Sequence, residues 1–215
     1  MSGGGARILR IWDRFINGVT YADPTRTEQI FILSIYSMLA IVSLALFGCL
    51  HLVIEHSFAL GYAELMGALA MVINLLGLRF VRNLTLARFA LLALIFTMLL
   101  VMIVTGGTQG TGIFWYFVFP IAAFFLTNKI QGIIWVASLI AVTTFMALLA
   151  QMSLLAVAYS PTTIRQLLIS LSVATVGIYT YQVAREKMMQ SSQESRHDLQ
   201  EYLDRMSTFS AKIDP

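Results

Sequence analysis

Glu64 sits inside an otherwise apolar run, Phe58-Ala59-Leu60-Gly61-Tyr62-Ala63-Glu64-Leu65-Met66. An ionisable side chain in hydrocarbon costs about 2.5 kcal/mol or more, so it must face protein or water. At the helical rise it lies about 9 Å from the start of its run. Trp115 and Tyr116, one turn into a later apolar run, reach a comparable depth, as does Tyr62, while His51 and Glu55 close the first run. Gln109 belongs to the Gly-rich stretch before Trp115. Aromatic walls for an apolar body and one carboxyl to orient a polar head are what a site for a small amphiphile requires. Glu64, Trp115, Tyr116, Tyr62, His51 and Gln109 are therefore the candidate ligand-binding residues, with Gly106, Gly107, Gly110 and Gly112 able to bring loop backbone close to a ligand or hinge over it. Plainer roles stand beside this one: an interfacial aromatic belt for Trp115 and Tyr116, a tight helix connection for the glycines, and a structural hydrogen bond for Glu64.

Other chemistry is thinner. His51 and His56, with 11 methionines in the chain, raise a metal or haem b site as an alternative. Two histidines five apart near one helix end are poorly placed as a pair of axial ligands, so the leading expectation is no metal and no cofactor. No catalytic residue is expected, because Glu64 has no obvious His, Asp or Cys partner within the spans. The single cysteine, Cys49, excludes an internal disulfide and reads as a small packing residue.

The elements that must position these residues are membrane helices. The 215 residues are 58% hydrophobic and 12% charged, whereas a soluble domain carries about 25% charged residues. The apolar residues fall into runs near the length a hydrocarbon core demands, at 29–53, 58–78, 86–105, 112–127, 131–151 and 163–183. The expected fold class is an all-α membrane protein, a bundle of six transmembrane helices. Within the spans, Asn74 is placed to hydrogen-bond across the bundle, and Pro120 is expected to kink the fourth span.

Lys and Arg set the orientation. Arg7, Arg10, Arg14 and Arg26 precede the first span, Arg79, Arg82 and Arg88 follow the second, Lys129 follows the fourth, and Arg185 and Lys187 follow the sixth; the opposite loops hold only Arg165. Both termini are thus expected in the cytoplasm. These basic residues lie beside apolar runs and not in a soluble patch, so the net charge of +3 points to a lipid bilayer and not to nucleic acid. Residues 1–28 form a cytoplasmic N-terminal segment in which Ile8, Ile11, Trp12, Phe15 and Ile16 share one helical face, the pattern of an interfacial helix. Residues 29–183 form the six-helix domain. Residues 184–215 turn hydrophilic without a helix breaker and continue the sixth span as an exit helix, with Met189, Ser192, Arg196, Leu199, Leu203, Met206, Ser210 and Ile213 spaced as a heptad seam for a homodimer.

A resemblance follows from this order of parts. The bundle, the exit helix and the stretch Phe209-Ser210-Ala211-Lys212-Ile213-Asp214 look like the input end of bacterial membrane-bound sensor histidine kinases and diguanylate cyclases, in which a similar stretch opens a PAS domain. The segment Gly106 to Pro120, with its Gly, Trp and Pro pattern, resembles polytopic MASE-like sensor modules. The resemblance implies a sensory input domain in a bacterial inner membrane that passes a small-molecule or membrane-borne signal through the sixth span to a cytoplasmic output. This chain carries no His-box and no GGDEF-like motif, so it is not expected to be an enzyme itself. A small transporter subunit is the remaining alternative, without an internal repeat to favour it.

Overall fold

The computed structural model describes residues 24–81 and 83–213, all of its regular structure helical. Helix α1 spans Pro24–Val53, α2 Phe58–Val81 and α3 Leu84–Thr105; a 3-10 helix, Thr108–Phe117, leads directly into α4, Val118–Leu126; α5 spans Lys129–Gln151 and α6 Pro161–Ile213. The expected interfacial helix at Ile8–Ile16 lies outside the described residues.

The boundaries have local causes. Asn83 caps α3 by accepting a 3.0 Å hydrogen bond from the Leu86 N–H, and Asn128 caps α5 by accepting from Gln131 N–H at 2.8 Å. Ser160 does the same for α6 through the Thr163 N–H, with Pro161 at the first helical position, where no N–H is needed. Gly106 ends α3 in the left-handed region, at φ 86°, and its N–H reaches the Met102 carbonyl.

Among the described residues, five helices are long and apolar enough to cross a membrane, which makes the chain a multi-pass membrane protein by length and composition. The fourth expected span is built differently from the others. Its α-helical part has only nine residues, preceded by ten in 3-10 conformation. The 3-10 helix rises about 2.0 Å per residue, so the two pieces together reach about 33 Å, close to the ~30 Å of a hydrocarbon core. Pro120 therefore does not kink a continuous α-helix. It stands in the first turn of α4, where its missing N–H is tolerated.

Helix α4 is the centre of the bundle. Phe119, Pro120, Ala122, Ala123, Phe124 and Leu126 are all buried, and α4 packs against α1, α3, α5 and α6. Phe96 of α3, Phe119 of α4 and Trp135 of α5 meet edge to face at 5.8 to 6.3 Å. The perimeter is the inverse of a soluble protein's: Val42, Phe80, Ile130 and Val173 are all more than 60% exposed, as lipid-facing side chains are. Asn74 crosses the bundle as expected, donating to the Ala87 carbonyl at 3.0 Å.

Helix α6 runs without interruption from Pro161 to Ile213, so the backbone of the expected exit helix is continuous with that of the last apolar run.

Candidate functional site

The site begins where α1 and α2 cross. Gly48 and Gly61 let the two backbones approach so closely that a Cβ on Gly61 would lie 2.7 Å from Leu52 Cγ and 3.0 Å from the Gly48 carbonyl oxygen. One turn further along each helix, on the same face, stand His51 and Glu64. His51 Nδ1 and Glu64 Oε2 are hydrogen-bonded at 2.6 Å, with each residue only 1% exposed. On the other side of the ring, Nε2 lies 3.5 Å from Glu55 Oε2, which is partly open to the surface. The three side chains form a row, carboxylate, imidazole, carboxylate, running inward from the end of α1. Glu64 thus has a histidine partner, contrary to the expectation that none lay within reach; the partner comes from the neighbouring helix, 13 residues away.

Glu64 also lines an apolar cavity of about 90 Å³ between α1, α2, α3 and the 3-10 helix. Tyr36, Ala40, Ser43, Leu44 and Phe47 form one wall as a single stripe of α1, faced by Met71, Ile95, Met98, Met102, Trp115 and Val118. Leu39, also in the lining, is 60% exposed, so the cavity reaches the outer surface of the bundle there. Phe47 and Trp115 meet edge to face beside Glu64, their centroids 5.6 Å apart at 84°. A smaller void joins His51 and Glu64 to Gly107, Thr111 and Gly112, so the glycine loop lies over the pair.

That loop is held from a distance. The Tyr159 hydroxyl, on the connection between α5 and α6, donates to the Gly106 carbonyl at 2.7 Å and accepts from the Ile113 N–H at 3.0 Å. The Ala158 N–H donates to the Ile103 carbonyl at 3.2 Å beside it. Burial pushes the Tyr159 hydroxyl above its ordinary pKa, with the Ile113 N–H acting in the opposite direction. The connection after α5 is thus tied to the roof of the site.

The expected site residues separate into groups. Glu64, His51 and Trp115 come together at the cavity. Tyr116 is fully buried but turned elsewhere: its hydroxyl donates to the Leu99 carbonyl at 2.9 Å, so it fastens the 3-10 helix to α3. Tyr62 is 60% exposed and does not line the cavity, because two residues along a helix turn it away from the Glu64 face. The side chain of Gln109 lies outside the described residues. Cys49 is exposed on the single chain, and the crossing of α1 and α2 is made by Gly48 beside it. His56 is exposed in the turn after α1, at φ 53°. His51 directs both ring nitrogens at carboxylates, and among the described residues there is no group of three His, Cys, Asp or Glu spaced to hold a metal ion.

Missed by sequence reading were the α1 stripe Tyr36 to Phe47 and the contacts at the opposite end of the bundle. There Gln182 of α6 donates to the Phe124 carbonyl at 3.3 Å, Phe124 and Phe125 pack on Tyr179 and Tyr181, Arg185 lies over the Phe125 ring, and Lys129 pairs with Glu186. Comparison with protein-family models, curated proteins and solved structures finds no match to this chain.

Proposed function

We propose that the chain is a membrane-embedded sensory input domain: a small amphiphile enters the Glu64 cavity from the bilayer, and its arrival is relayed to α6, whose continuation carries the signal to an output. One observation carries this reading. The single segment Thr108–Leu126 contributes Trp115 and Val118 to the cavity wall, and the same segment ends in Phe124 and Phe125 packed on α6. Displacement of Trp115 by a ligand loads an element whose inner face, Tyr116, Phe119, Ala122 and Ala123, is fully buried, and close-packed side chains pass displacement on to their neighbours. The uninterrupted helix from Pro161 to Ile213 supplies a rigid outlet.

In this reading the charge asymmetry sets the His51 end toward the periplasm and the Lys129 end, with both termini, toward the cytoplasm of a bacterial inner membrane. The exit helix pairs with that of a second copy, and the output follows it, as the resemblance to sensor kinases and cyclases implies. Joining the exit helix to a reporter kinase domain tests the function. Glu64→Gln and Trp115→Ala are each expected to change the reporter's response while leaving membrane insertion intact. Unchanged output from both inserted variants would remove the site from the signalling path.

A further inference from the structure

The cavity has a shape and a charge that select among amphiphiles. Its α1 wall runs from Tyr36 to Phe47, about 16 Å along the helix axis, so it is an elongated slot and not a basin. Glu64 stands at one end of the slot with Phe47 and Trp115 beside it, and beyond it come His51 and Glu55. Among the described residues, no Lys or Arg lines the slot or the smaller void adjoining it. Two carboxylates against one imidazole repel an anionic head. A carboxylate flanked by two aromatic rings in a low-dielectric setting is an environment that favours an ammonium head, through direct charge attraction and the negative faces of the rings.

Resting on the ligand-sensing reading above, we propose that the ligand is a single-chain lipophilic cation, with its ammonium head at Glu64, Phe47 and Trp115 and its chain along α1 toward Tyr36.

The test uses the full chain in lipid nanodiscs and three eight-carbon probes: octyltrimethylammonium, octanol and octyl sulfate. Binding is measured calorimetrically against empty nanodiscs. The cation is expected to bind at least about tenfold more tightly than octanol, octyl sulfate to bind least, and the cation's advantage to vanish in Glu64→Gln. Phe47→Leu, which keeps the carboxylate, is expected to weaken the cation by about threefold more than it weakens octanol. Equal binding of cation and octanol, or a preference for octyl sulfate, would overturn the cation assignment while leaving the ligand cavity standing. Failure of all three probes to bind above empty nanodiscs would overturn both the assignment and the cavity reading beneath it.

Discussion

Gly48 of α1 and Gly61 of α2 meet backbone to backbone, and the contact exists only because neither has a side chain: a Cβ on Gly61 would stand 2.7 Å from Leu52 Cγ and 3.0 Å from the Gly48 carbonyl. This crossing sets the distance between His51 and Glu64 one turn away. Gly61→Ala is expected to spread the helices and destabilise the bundle by about 1–3 kcal/mol, the usual cost of overpacking. Gly77→Ala, where an added Cβ meets nothing within 4 Å, is expected to be neutral or mildly stabilising. Thermal melts of the two variants in one detergent check the contrast.

The buried pair predicts strong non-additivity. His51→Ala leaves a buried carboxylate without its partner, a loss of about 3–5 kcal/mol for such pairs. Glu64→Gln retains a polar group for His51 and is expected to cost less. The double variant should cost well below the sum of the two, with a coupling of at least about 1 kcal/mol in a double-mutant cycle of unfolding free energies. Additive losses would mean that the two side chains do not stabilise each other.

Tyr159→Phe removes a group that both donates to Gly106 and accepts from Ile113. Leaving those partners unpaired is expected to cost about 1–3 kcal/mol and to speed amide exchange at Ile113 selectively. Because burial raises the pKa of this hydroxyl in the folded state, the folded chain holds its proton more tightly than the unfolded one. The hydroxyl's contribution should be full below the ordinary tyrosine pKa of about 10 and should decline as pH rises through the higher folded value. The stability gap between the parent and Tyr159→Phe, followed from pH 8 upward, checks the sign.

At the other end, Gln182→Ala and Lys129→Ala remove the hydrogen bond to Phe124 and the ion pair to Glu186. In the reporter fusion these substitutions are expected to blunt the response while leaving probe binding within about twofold, since neither residue lines the cavity. Parallel loss of binding and response would place their effect on the fold and not on the relay.

Much of this was legible in the sequence. Apolar run length gave five of the helices closely, because the need to satisfy backbone hydrogen bonds in lipid leaves little choice but helix. The fourth run differed because its glycines and aromatic residues adopt a 3-10 helix over Thr108–Phe117, and the greater rise lets a shorter segment cover the same distance. Glu64 was identifiable from the cost of burying a charge. Its partner was not, although a signal existed: Gly48-Cys49-Leu50-His51 and Gly61-Tyr62-Ala63-Glu64 set each polar residue one turn beyond a glycine on two adjacent helices. Tyr62 and Tyr116 show the limit of depth as a guide. Both lie near the level of Glu64, but rotation about the helix axis sends one toward lipid and the other into the core. The Tyr159 clamp joins residues 53 and 46 apart in sequence, a separation that local patterns do not encode.

The most direct test of coupling between the cavity and the exit helix needs no ligand. Ala40→Leu adds bulk to the cavity wall and imitates occupancy. Spin labels placed at Phe80 and Met188, both strongly exposed, in a Cys49→Ser background, report the position of α6 against α2 at the far end of the bundle by pulsed electron paramagnetic resonance. Filling the cavity is expected to shift or reweight the measured distance distribution, and Gln182→Ala is expected to diminish that shift. An unchanged distribution in a folded Ala40→Leu protein would contradict the proposal that this cavity controls the exit helix.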